Sequence, residues 1–423
     1  MRDPRPTRRT FLMHSTALAA ATTLDMAVNA YAGGSDTLRV GLIGCGSRGT
    51  GAAEQTLTAD KGTRLVAMAD AFRDRLEGSL SNLKSSSVAE RVEVPEDRRY
   101  VGFDAYKQVI DQVDVALLTT PPGFRPIHFA YAVEKGVHTF IEKPMAVDGP
   151  GLRKFLEAAK ASKVKGLSVV NGFCWRYHKP RRETMKRVAD GQIGDIVAIE
   201  TTYNSKGVWE PRKRREECDS EMEYQMRNWY YYCWLSGDHI VEQAVHGLDT
   251  MAWALGDKPP LRCWGVGGRQ ARTDAKYGNI WDHFAIVYEY DNDVRGYHQC
   301  RHWANTPNRV QDYILGAKGM ADVFGNKISG PNKWRYRGPN SNMYQTEHDE
   351  MYAALRAGKP INNAEQAASS TLLALMGRMA AYTGQVITWE QALNSQEDLS
   401  PSQYAWGDAP RRPVPVPGVT KFV

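Results

Sequence analysis

Residues 38–49 read LRVGLIGCGSRG, an apolar run that breaks into glycines. The spacing of Leu38, Val40, Leu42 and Ile43 predicts a short buried strand, and Gly44, Gly46 and Gly49 form a G-x-G-x-x-G turn before a helical stretch over 50–58. Glycine answers a different need at each place: a tight turn at Gly44, approach of a pyrophosphate to backbone at Gly46, close packing of helix on strand at Gly49. The N–H groups and positive dipole end of the helix suit the phosphates. Ser47 and Arg48, inside the turn, join the glycines as candidate cofactor contacts. A second apolar run over 64–69 ends in Asp70, where this fingerprint has a carboxylate to accept a ribose 2′-OH. A carboxylate there repels a 2′-phosphate, so the expected cofactor is NAD in preference to NADP.

With 423 residues, 42% hydrophobic and 24% charged, the chain has the composition of a globular protein of two domains, since single cores stop growing near roughly 250–300 residues. The net charge is +6. Residues 1–32 contribute Arg2, Arg5, Arg8 and Arg9 against Asp3 and Asp25, and beyond the short run 212–215 no basic block suggests nucleic acid. Thr7-Arg8-Arg9-Thr10-Phe11-Leu12, a weakly apolar alanine-rich stretch and Ala30-Tyr31-Ala32 resemble a twin-arginine export signal with its cleavage site. That route implies a periplasmic or otherwise exported protein that carries its NAD tightly bound and recycles it within each turnover. No later stretch approaches the roughly 18 apolar residues of a membrane span. The six cysteines are scattered without a C-x-x-C, which indicates neither a zinc site nor a dense disulfide framework.

Beyond Asp70, helices and strands alternate as in a doubly wound parallel sheet: a helix over 71–83, a strand over 113–119, a helix over 128–134 and a strand over 137–141. The strand at 113–119 ends in Thr119-Thr120-Pro121-Pro122-Gly123, turn chemistry at the sheet edge where ligands lie, which makes Thr120 and Pro121 cofactor candidates. The next strand runs directly into Glu142-Lys143-Pro144. The glycine turn, the TTPP strand end and this EKP triplet together resemble the Gfo/Idh/MocA superfamily of oxidoreductases, over nearly all of the chain after the signal. The resemblance implies that Lys143, with Glu142 beside it, lies next to the nicotinamide and the reacting hydroxyl. An ammonium there stabilises a developing alkoxide.

A helix over 152–162 and a last strand over 166–173 complete the expected NAD-binding Rossmann domain at 33–175. The resemblance places substrate-facing residues just after it, which makes Arg176 and Tyr177 candidates. Strands over 196–203, 261–266, 284–290, 295–301 and 312–315 then predict an α+β domain over 176–423 with an open, mainly antiparallel sheet. Such a sheet suits a homo-oligomer. Trp229, Tyr230, Tyr231, Tyr232 and Trp234 form an aromatic cluster with the flat walls that sugar C–H faces need, so Trp229 and Tyr230 are substrate candidates. The following helix carries Glu242 and His246 four residues apart, on one face. The superfamily has an aspartate and a proton-accepting histidine at this spacing, which implies that His246 is the base. Glu242 departs from the shorter usual residue and is read as a catalytic or substrate-binding carboxylate. His239, Glu242 and His246 match no metal-binding spacing. Arg301 and His302 sit at a strand end that can bring them to the cleft, and helices over 344–356 and 364–382 pack back on the first domain as architecture.

The resulting expectation is an exported NAD-dependent oxidoreductase acting on a sugar or glycoside, with no nucleic-acid partner and no stable membrane insertion. His246 takes the hydroxyl proton and Lys143 stabilises the oxyanion. The rival is an NAD-dependent glycosidase resembling glycoside hydrolase family 109, which oxidises the ring transiently, eliminates the aglycone, adds water and reduces the ring again. The turn Cys45-Gly46-Ser47-Arg48-Gly49 and the signal favour it, while Glu242-Gln243-Ala244-Val245-His246 departs from the Tyr-x-x-His pattern of that family. A non-catalytic binding protein is the third reading, opposed by the joint presence of Lys143 and His246.

Overall fold

Strands whose residues are buried on both faces need helices above and below them, and the first half of the chain supplies both. The computed structural model describes residues 36–423, so the stretch read as an export signal, 1–32, lies outside the described residues. Six strands, β1 (Leu38–Ile43), β2 (Thr63–Asp70), β3 (Arg99–Val101), β4 (Val115–Leu118), β5 (His138–Ile141) and β6 (Val169–Asn171), lie in the order β3-β2-β1-β4-β5-β6. The register is parallel, with Val40 opposite Val115, Asp70 opposite Val101 and Leu118 opposite Ile141. Strand order reverses between β1 and β4, the topological switch point where such sheets bind ligands beyond their carboxyl ends. The glycine turn, the Thr119–Pro121 turn and the EKP triplet all emerge there.

The second sheet has nine strands: β7 (Ile196–Ser205), β8 (Arg262–Gly268), β9 (His283–Glu289), β10 (Arg295–His302), β11 (Arg309–Gly316), β12 (Gly319–Asp322), β13 (Lys327–Ser329), β14 (Trp334–Arg335) and β15 (Ile387–Thr388). Their order is β14-β13-β12-β11-β7-β10-β9-β8-β15, antiparallel except where β10 lies parallel to β7. Along β10, Gly296, His298 and Cys300 are buried while Tyr297 and Gln299 are exposed, so one face of the sheet is covered and the other open.

What covers it is the helix Ala364–Thr383, apolar on nearly every side and therefore stable only when enclosed. The Tyr288 hydroxyl donates to its Leu373 carbonyl at 2.8 Å on the sheet side, and on the other Arg378 donates to the Val147 carbonyl at 2.6 Å. The helix Met343–Arg356 packs on the helix Ser47–Ala59 that follows the glycine turn, with Gln345 donating to the Gln55 carbonyl at 3.0 Å and Arg356 paired with Asp60 at 2.7 Å. Residues late in the chain thereby brace the turn that opens it.

Candidate active site

The glycine turn is built as its spacing predicts. Gly44 has φ +96°, and a Cβ there would press on the Thr119–Thr120 backbone; a Cβ on Gly49 would collide with the Gly44 carbonyl. At Gly46, which caps the helix Ser47–Ala59, a Cβ would meet nothing within 4 Å. The backbone there fronts open space, the room a pyrophosphate needs. Thr119 Oγ1 donates to the Gly44 carbonyl at 2.7 Å and ties the turn to the end of β4. Asp70 accepts from Cys45 N–H at 2.6 Å and Phe72 N–H at 2.9 Å. Burial raises its pKa while both N–H bonds oppose the shift, so this carboxylate holds the turn as well as lining the cavity. Arg48 pairs with the buried Glu142 at 3.0 Å and lies over the Tyr344 ring at 5.0 Å, which links the turn to the EKP triplet.

At the other end of the cleft the triplet meets the second domain. Lys143 Nζ lies 3.1 Å from Glu242 Oε1 and donates as well to the Glu242 carbonyl. Beneath it Arg125, fully buried, donates to the carbonyls of Pro144 at 2.6 Å and Thr120 at 2.8 Å, and burial lowers its pKa to about 10. His246 lines the same cavity, stacked on Trp175 at 4.8 Å with Phe173 edge-on at 6.1 Å. Burial, then the charges of Lys143 and Arg181, hold its pKa well below the ordinary histidine value. A neutral imidazole beside a lysine ammonium is a proton acceptor next to an oxyanion stabiliser.

The cavity of about 540 Å³ brings together Gly44, Gly46, Ser47, Arg48, Gly49, Asp70, Thr120, Pro121, Glu142, Lys143, Trp229, Glu242 and His246. Three candidates stand outside it. Arg176 is turned away and held by Asp249 at 2.9 Å and by Asp257, because the 3₁₀ turn Cys174–Tyr177 aims Cys174 into the cleft and the next side chains elsewhere. Tyr177 is buried and accepts from Asn363 at 2.9 Å. Tyr230 is core, since the tight turn Trp229–Tyr231 sends successive rings to different sides, and its hydroxyl is 3.4 Å from Gln243 Oε1. Glu242 and His246 do not share one helix: Glu242 ends the helix His239–Glu242 and His246 lies in the first turn of the helix Val245–Ala254. They converge through the break between them.

Cavity residues that the sequence reading passed over include Phe72, Phe103, Arg125, Tyr203, Trp209, Arg212, Gln243 and Tyr344. His302 reaches the cavity only through Gln243, its Nε2 lying 2.7 Å from Oε1, while Arg301 bonds locally to Thr306 and the Pro307 carbonyl. Among the described residues no group of histidine, cysteine and carboxylate side chains is arranged to hold a metal, and no helix is long and apolar enough to cross a membrane.

Residues 38–170 match the family model described as an oxidoreductase family with an NAD-binding Rossmann fold, and residues 182–322 match the GFO/IDH/MocA C-terminal domain. The chain belongs to this family. Curated relatives include a glycosyl hydrolase family 109 protein of Bacteroides thetaiotaomicron, 27% identical over 41% of this chain and 36% of that protein. The inositol 2-dehydrogenase of Burkholderia multivorans is 28% identical over 52% of this chain and 55% of its own length. The matched region thus spans about a third to a half of these relatives. Among solved structures, myo-inositol 2-dehydrogenase from Lactobacillus plantarum is 20% identical with a TM-score of 0.64, covering 84% of this chain and 99% of that one. Aldose-aldose oxidoreductase from Caulobacter crescentus is 18% identical with a TM-score of 0.64, covering 83% and 99%. Both share the fold.

Proposed function

We propose that the protein is an NAD-dependent oxidoreductase acting on a hydroxyl of a sugar, cyclic polyol or glycoside. The observation that carries this reading is the convergence of Lys143, Glu242 and a neutral His246 in one cavity with the glycine turn. The cavity fits the cofactor: Gly46 leaves room for a pyrophosphate, a helix N-terminus points at it, and Asp70 faces the ribose position. When bound, the nicotinamide supplies the acceptor and donor of hydride.

The chain's own groups do the rest. His246 accepts the proton of the reacting hydroxyl, its ring orientation set by Trp175. Lys143 stabilises the oxygen as negative charge develops on it, and Glu242 fixes the ammonium through carboxylate and carbonyl together. Trp209 and Trp229, 6.3 Å apart at the cavity wall, offer flat apolar surface to a sugar face. Export by the twin-arginine route and tight retention of the cofactor belong to the same proposal. So does self-association, which the exposed Trp264, Val266 and Tyr297 on the open sheet face support.

Relatives of glycosyl hydrolase family 109 support a second reading, in which oxidation is transient and the net reaction is hydrolysis. One experiment separates the two. Protein purified without added cofactor is mixed with a panel of inositols, aldoses and aryl glycosides, with the reduced-nicotinamide absorbance band and the products followed together. A band that rises and persists as a keto-sugar forms supports the oxidoreductase. Free sugar and aglycone over many turnovers, with no net change in the band, make the protein a glycosidase.

A further inference from the structure

The cofactor cleft has a wall that neither domain builds alone. Beyond the carboxyl ends of β2 and β3 stand the half-buried rings of Phe72 and Phe103, both lining the cavity next to Asp70. Behind them lies a strap, residues 395–423, that carries no helix or strand. Its Trp406 packs on Phe103 at 4.8 Å and on Phe72 at 5.4 Å between ring centroids, while Tyr404 packs on Phe124 of the same cavity at 5.5 Å. Arg227, paired with Asp74 at 2.8 Å, lies over the Phe72 ring at 3.7 Å.

Hydrogen bonds to both halves of the molecule hold the strap in place. Leu399 N–H donates to Asp148 at 2.8 Å on the Rossmann side. On the other, Met222 N–H donates to the Gly407 carbonyl at 2.9 Å and Gln225 to the Pro410 carbonyl at 3.0 Å. Trp406 is nevertheless 48% exposed, so its burial does little for the core. Its contacts are with the two phenylalanines of the cleft.

We infer that Trp406 is a positioning residue for the adenine half of the cofactor. By fixing the tilt of Phe72 and Phe103 from behind, it gives the adenine ring a preformed aromatic wall, and the strap thereby governs how long the cofactor stays. The inference rests on the NAD reading and adds to it an element that no part of the glycine fingerprint contains. Aromatic walls of this kind reward a planar heterocycle and are indifferent to the nicotinamide end.

Cofactor-stripped full-length protein tests it in three titrations, with NADH, with ADP-ribose and with reduced nicotinamide mononucleotide, followed by ligand or tryptophan fluorescence. Trp406→Ala is expected to weaken NADH and ADP-ribose at least tenfold, leave the mononucleotide within twofold, and speed NADH release in a chase with excess NAD. Trp406→Phe restores most of the affinity. Should Trp406→Ala not yield folded protein, Trp406→Leu, which fills the space without an aromatic face, carries the same expectation. Unchanged NADH affinity, or equal weakening of all three ligands, overturns the inference while leaving the cofactor reading intact. Wild-type protein that binds none of them overturns both.

Discussion

At the level of single residues, the structure separates groups that line the cavity from groups that carry the fold. Arg176 shows the difference. Its guanidinium is spent on Asp249, which is also bonded by Ser370 at 2.7 Å and Gln366 at 2.9 Å, and on Asp257. Removing one partner of a buried pair strands the other charge. Arg176→Ala is therefore expected to lower stability by about 3 kcal/mol, read in denaturant unfolding, with the substrate KM of the folded fraction unchanged. That Lys143 and His246 line the cavity was legible, from the EKP triplet for the first and from the family resemblance in spacing for the second. Gln243 and Tyr344 were not, since nothing local to a glutamine between Glu242 and Ala244, or to a tyrosine at the start of a late helix, reveals that tertiary packing brings it to the cavity.

The elements were read most reliably where period and punctuation agree. The glycine turn is the clearest case, and its positions differ in a way that can be measured. Gly49→Ala would drive a methyl into the Gly44 carbonyl and Thr119 Oγ1, so the turn itself must shift; loss of both stability, by about 1–3 kcal/mol, and NADH binding is expected. Gly46→Ala meets no protein atom, so the fold should hold its melting temperature while NADH affinity falls at least tenfold. Calorimetry and an NADH titration on both variants check the pair. The helix predicted to carry Glu242 and His246 was misread as continuous because Ile240, Val241, Ala244, Val245 and Leu248 keep an unbroken helical spacing. The break coincides with tertiary contacts instead: the Glu242 carbonyl accepts from Lys143 Nζ, and Gln243 Oε1 lies 2.7 Å from His302 Nε2.

For the whole molecule, the parallel sheet was legible from alternating strand and helix patterns, whereas β12–β15, two to four residues each, are too short to show a period. Burial on this scale has a consequence for pH. Burial holds His128 and His298 down to about 3, and His246, His302 and His348 well below their ordinary value, so all five are neutral in the fold. In the unfolded chain each takes a proton as pH falls through about 6.5. A depressed folded pKa gives stability that is present above the unfolded value and lost below it. Asp312, raised to about 7, and Glu347, raised by burial beside Glu142, act in the opposite direction, binding protons in the fold first. Asp70 and Asp148, also raised by burial, join these carboxyls, and burial lowers His138 and His178 too, so seven imidazoles outweigh four carboxyls. Net stability should therefore fall between pH 6.5 and 4.5, at about 1.4 kcal/mol per pH unit for each net proton taken up on unfolding. Urea midpoints across that range measure it, and a midpoint that rises on acidification would reverse the sign.

The proposed function assigns the proton transfer to the same neutral His246, and the most direct test is a single turnover. NAD-loaded protein is mixed with the sugar or polyol found active in the panel, and the reduced-nicotinamide band is followed in wild type, His246→Ala and Lys143→Ala. The expected result is a rapid rise in wild type with an acid limb below pH 6.5, and a rate at least about a hundredfold lower in each variant, with NADH affinity retained. A band that rises as fast in His246→Ala as in wild type would contradict the assignment of the base and, with it, the account of how this cavity works.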